Sequence, residues 1–98
     1  MTIEKKIEDG RLTLVVAGRL DTNTAPELEA EVKLDGVTEV VFDFTALDYI
    51  SSAGLRILLG AQKAMMAVGG TMQVFRPNAM VRGVFDVTGL SGVFTVVE

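Results

Sequence analysis

The residues best placed to do chemistry are two adjacent serines, Ser51 and Ser52, inside the stretch VVFDFTALDYISSAGLRILL that runs from Val40 to Leu59. An apolar run opens this stretch as a strand, and Asp48-Tyr49-Ile50-Ser51 turns the chain. An apolar helical pattern begins right after Ser52. Ser52 is therefore expected at a helix N-terminus, facing free backbone N–H groups and the positive end of the macrodipole. That place favours an oxygen and would favour a phosphate more. Two readings stay open: a structural N-cap, or a hydroxyl that takes up a charged group. Service as a catalytic nucleophile has less behind it. The chain holds no G-x-S-x-G elbow and no histidine to act as base. Lys63 lies eleven residues on, about three helical turns away, too far to activate the hydroxyl.

A phosphate on Ser52 would bring roughly −1.5 to −2 charges. Arg56, one turn along, could pair with it, whereas Asp21 and Asp48 would repel it if close. At about 100° per residue, Gly54, Ile57, Leu58, Ala61, Ala64, Met65 and Val68 cluster on a side expected to be core. Ser52, Arg56 and Lys63 fall opposite, with Leu55, Leu59 and Met66 beside them. Apolar side chains on a face expected to be wet are either covered by other elements or form a protein-binding patch. If a partner docked on Leu55 and Leu59 with acidic or apolar groups, a phosphate at Ser52 would drive it off. A local charge change would then veto an interface.

Composition narrows the remaining classes. With 98 residues, one domain is expected, and 49% hydrophobic residues suffice for a core. Aromatics are few and Trp is absent, so that core is aliphatic. The absence of Cys and His excludes Cys/His zinc sites, thiol nucleophiles, Ser-His-Asp triads and a disulfide scaffold. Asp43 stands alone inside a strand and reads first as a satisfied polar group at a strand end. No metal spacing surrounds it and no G-x-x-x-x-G-K pattern occurs. Neither metal nor cofactor is expected, and the chain is not expected to be an enzyme. The net charge of −4 and the lack of a basic stripe argue against nucleic acid. No apolar run approaches the roughly 18–20 residues of a membrane span, and no signal-peptide core is visible, so a cytoplasmic protein is expected.

The elements that must position the serines follow in order. Ile3 to Ile7 and Arg11 to Gly18 read as strands joined by Asp9-Gly10, a hairpin signal. Leu12, Leu14 and Val16 share one face of the second strand and Val15 and Ala17 the other, so this strand is expected in the sheet interior. After the loop Arg19 to Asn23, Thr24-Ala25-Pro26-Glu27 fits a capping box with Pro26 in the first turn. That helix is expected to reach about Leu34, with Gly36 as its stop. The Val40 strand and the Ser52 helix come next, and Gly69-Gly70 ends the helix. Thr71 to Phe75 reads as a strand, broken by Pro77. Asn78 caps a third helix with Val81, Val84 and Phe85 on its apolar face, Gly89 stops it, and Val93 to Val97 reads as a last strand. The order ββαβαβαβ predicts a single α/β domain: a mixed sheet, largely parallel after the first hairpin, with helices packed against it. Loops leaving the C-terminal ends of such strands usually carry the site. That places Arg19–Asn23 and Thr45–Ser51 together if the second and third strands are neighbours.

These segments resemble the STAS domain of bacterial anti-sigma factor antagonists. GRLD at Gly18–Asp21 is similar to that family's G-x-L-D. The strand holding Asp43, the ISSAGL segment at Ile50–Leu55, the turn Gly69-Gly70, and FDVTGL at Phe85–Leu90 match in order. The resemblance covers nearly the whole chain and implies an antagonist that binds an anti-sigma factor serine kinase when unphosphorylated, freeing a sigma factor. Serine phosphorylation releases it, and a PP2C-type phosphatase resets it. Aligned on Gly54-Leu55, the acceptor is Ser52, with Ser51, at a position often aspartate in the family, as second candidate. Asp21 matches the loop aspartate near the acceptor, and Asp21, Leu55, Arg56 and Leu59 are expected in partner binding. Family members usually continue into a helix after the last strand, whereas this sequence stops at Glu98. The sheet area left uncovered could be closed by homodimerisation. The alternative is a constitutive STAS subunit of a membrane transporter or signalling scaffold, which needs the docking face but not the phosphate. A small hydrolase or nucleotide-binding enzyme is a third reading and has least behind it, because the chain lacks a general base of suitable pKa.

Overall fold

A computed structural model describes residues 1–98. Strand β1 (Thr2–Glu8) turns through Asp9 (φ 46°) and Gly10 (φ 82°) into β2 (Arg11–Leu20), and the two pair antiparallel. Two successive residues at positive φ make the tight turn that the Asp-Gly pair predicts. Helix α1 (Ala25–Glu31) leads to β3 (Glu39–Asp43) and a short strand β4 (Leu47–Ile50). Then come α2 (Ser52–Ala67), β5 (Thr71–Phe75), α3 (Ala79–Thr88), a single 3-10 turn at Leu90–Gly92, and β6 (Thr95–Val97).

The main sheet runs β1-β2-β3-β5-β6, parallel everywhere except at the β1–β2 hairpin. This is the expected mixed sheet with β2 inside it. Period-2 alternation sends Leu12, Leu14, Val16, Val40, Phe42, Met72 and Val74 to one face, all buried. There they form one cluster with Leu28 of α1, Ile57, Leu58 and Met65 of α2, and Phe85 of α3. The alternate residues Thr13, Val15, Val41, Gln73 and Phe75 lie half-buried on the other face. Asp43 is satisfied at its strand end, since its Oδ1 accepts from Thr45 N at 3.0 Å and from the Thr45 hydroxyl at 2.6 Å.

Three local expectations are corrected. The residues between β3 and α2 are not all loop, because β4 adds a strand that pairs parallel with the last residues of β2, Leu20 opposite Ile50. The order is thus ββαββαβαβ. Helix α1 ends at Glu31 instead of Leu34: Val32 leaves helical geometry (ψ 78°), and Val32 and Leu34 then pack against the core. The Thr24–Glu27 capping box does not form. Thr24 has helical backbone angles (φ −97°, ψ −20°), so its hydroxyl turns back, donating to Arg19 O at 2.8 Å and accepting from Asp21 N at 2.9 Å.

Candidate functional site

The register of β2 with β4 builds the site. Ile50 lies opposite Leu20, and the next residue, Ser51, donates its N–H to Leu20 O at 2.9 Å. The segments that start at Asp21 and Ser51 therefore leave the sheet side by side. Asp21 and the two serines do come to one end of the domain, but β4 brings them there and not β3.

Helix α2 begins at Ser52, so the N-cap is Ser51 and not Ser52. Ser52 is exposed as the first helical residue. Ser51 has the extended backbone of an N-cap (φ −103°, ψ 176°), yet its side chain caps nothing. Its Oγ is buried and has no hydrogen-bond partner. The first-turn N–H groups, which no helix can satisfy internally, thus receive no side-chain cap. What anchors this helix start is packing. Gly54 lies so close to β2 and β4 that a Cβ there would sit 2.7 Å from Leu20 Cγ and 2.8 Å from Ile50 Cγ1.

This sinking of the first turn also explains a correction at Leu55. Expected on the wet face, it is 7% exposed and belongs to the core cluster. Leu59 is half-buried against that cluster, and Met66 is 68% exposed. Val68, expected on the core side, is 63% exposed at the helix end. Arg56 is exposed one turn beyond Ser52 and takes part in none of the ion pairs, which join Lys5 to Glu31, Arg11 to Glu39, Arg19 to Asp21, and Arg82 to Glu98.

Asp21 is held tightly by its own loop. Its Oδ1 accepts from Asn23 N at 3.0 Å and Thr24 N at 3.1 Å, and its Oδ2 lies 3.8 Å from Arg19 Nε. The Thr24 N–H, first, holds the carboxyl below its ordinary value of 3.8; the Asn23 N–H, the Thr24 hydroxyl and Arg19 act the same way, and desolvation opposes them. Two neighbours escape a reading of sequence. Arg19 stacks its guanidinium 4.2 Å from the centre of the Tyr49 ring. Asn78 ties the start of α3 to β4, donating to Leu47 O at 3.1 Å and accepting from Val81 N at 2.8 Å. The second bond is the cap its residue type predicts, whereas the first spans thirty-one residues of sequence and leaves no local signal.

The site thus presents an exposed hydroxyl at the positive end of a sixteen-residue helix, a free guanidinium one turn on, and a carboxylate already committed to its loop. No helix is long and apolar enough to cross a membrane.

The chain resembles known proteins over its full length. It is 37% identical over 91 residues to BtrV of Bordetella bronchiseptica, whose name gives it as an anti-sigma factor antagonist, covering 90% of this chain and 78% of that one. An anti-sigma factor antagonist from Mycobacterium paratuberculosis superposes with TM-score 0.84 at 28% identity, over 98% of this chain and 84% of the other. The Bacillus cell fate determinant SpoIIAA in its phosphorylated form shares the fold (TM-score 0.78, 20% identity, 99% and 92% covered). The sequence profile of the STAS domain matches residues 2–98, and the chain belongs to the STAS domain family.

Proposed function

We propose that this protein is an anti-sigma factor antagonist switched by phosphorylation of Ser52. In the unphosphorylated form it binds an anti-sigma factor that is also a serine kinase, and sigma-factor-dependent transcription proceeds. The observation that carries this reading is the position of Ser52: exposed, first in α2, with Arg56 unpaired one turn away. A phosphate there would meet uncapped N–H groups and the helix dipole, and Arg56 would supply a charge-assisted partner. Ser51 is the weaker acceptor because its Oγ is buried. The likeness to BtrV supports the partner class, and the phosphorylated SpoIIAA structure is a case of this fold carrying a phosphate.

Asp21 and its loop would border the docked partner, with Arg56 and Leu59 contributing contacts. Leu55 would act from the core, by holding the first turn of α2 in place. A PP2C-type phosphatase would restore the binding form. The protein acts here by binding, not by catalysis.

The test is incubation with the cognate kinase and ATP, then peptide mass mapping. One phosphate on the peptide holding Ser52, abolished by Ser52→Ala, is expected; no phosphate on Ser52 or Ser51 would remove the switch. Ser52→Asp should weaken kinase binding about tenfold or more, since like charge set into an interface is costly. Unchanged binding of Ser52→Asp would favour a constitutive interaction subunit instead.

A further inference from the structure

Two glycines of α2 have opposite standing. Gly54 is required by the fold, because Leu20 and Ile50 fill the space a Cβ would need. Gly60 is not: it is exposed in the middle of the helix, and a Cβ there would meet nothing within 4 Å. Glycine is the poorest helix former after proline, so its presence at that position costs stability with no return inside the chain. Gly83 of α3 is also open, but it borders no cleft.

Gly60 does border one. Between α1 and α2 runs a groove in two parts that share Glu29, Arg56 and Ile57. The first, about 170 Å³, reaches Thr22 and Ala53, the residue after Ser52. The second, about 240 Å³, is lined by Val32, Leu34 and Gly60. A partly apolar floor therefore extends from the candidate acceptor serine to the open glycine, with Glu29 and the unpaired Arg56 beside both halves. A bare glycine lets a foreign chain approach the helix closely at that point. Arg56 is in no ion pair with Glu29 or any other carboxylate, so its planar fork stays open to a bidentate carboxylate from outside.

We infer that the α1–α2 groove receives a segment of the anti-sigma factor, with a carboxylate set against Arg56 and a large apolar side chain seated over Gly60. This rests on the function proposed above and adds the chemistry of the partner segment and a residue that sets specificity.

The experiment compares the full chain with Gly60→Ala and Gly60→Leu, measuring thermal unfolding and calorimetric affinity for the purified cognate kinase. Gly60→Ala should raise Tm by about 4 °C, as a better helix former in open space. Gly60→Leu should keep the fold and cut affinity at least about tenfold by filling the groove, with Gly60→Ala cutting it less. Arg56→Ala should flatten the salt dependence of binding. If wild type binds the kinase but both Gly60 variants bind equally well, the groove assignment is overturned while the functional reading stands. If wild type does not bind, both fall.

Discussion

The starts of α2 and α3 have nearly the same backbone, and they are held in opposite ways. Ser51 and Asn78 are both extended N-caps, with ψ 176° and 175°. Asn78 satisfies the first turn of α3 through Val81 N and grips β4 through Leu47 O. Ser51 bonds with its backbone alone, and its hydroxyl is buried without a partner. α3 is fastened by hydrogen bonds, and α2 is fastened by the close packing of Gly54 on Leu20 and Ile50. The difference has a functional consequence. A helix start capped by a side chain has one of its free donors already taken, as Val81 N is here, whereas one anchored by packing can be equally well placed while all of them stay open to an incoming anion.

The largest effect that could break this contrast is at Gly54. Gly54→Ala puts a methyl group within 2.9 Å of Leu20 Cγ, Leu20 Cδ2 and Ile50 Cγ1. A loss of about 3 kcal/mol is expected in urea unfolding, as for an overpacked core. A neutral result would mean that packing does not anchor α2.

The second and third tests work as a pair. Asn78→Ala removes the cap of α3 and leaves Leu47 O without its donor at 3.1 Å. The expected cost is about 2 kcal/mol, a lost cap plus an unpaired carbonyl. Ser51→Ala removes a hydroxyl that makes no bond, so stability should change by less than about 0.5 kcal/mol, or rise slightly. Equal losses in the two variants, measured in the same urea titrations, would erase the distinction between the two helix starts.

Sequence discloses these regions unequally. The Asp9-Gly10 hairpin, the Asn78 cap and the Gly69-Gly70 stop are legible because each is decided within a few residues by φ preference or a short side-chain bond. β4 is hidden because Leu47–Ile50 is four residues long and exists only by pairing with β2, far off in sequence. Leu55 deceives a helical wheel for a related reason. The wheel gives direction around the axis, but the depth to which the first turn sinks depends on Leu20 and Ile50. The serines themselves are legible as a pair, whereas their division of labour is not. Which one takes the N-cap position and which one is exposed follows from a one-residue difference in where α2 begins.

The start of α1 supplies a third case. Here the fastening group is ionisable: Asp21 accepts the N–H groups of Asn23 and Thr24, and these bonds depress its pKa below 3.8. A carboxylate whose folded-state pKa lies below its unfolded value stabilises the fold above the unfolded value, and that contribution disappears as pH falls through the folded one. At neutral pH, Asp21→Asn should therefore be less stable than wild type. The gap should close once the pH drops well under 3.8, where wild type too carries an uncharged acceptor. Urea midpoints for both proteins across that range read the effect directly. A gap that persists undiminished in acid would assign the loop's order to geometry alone, since the neutral amide keeps the shape of the acceptor and loses only its charge.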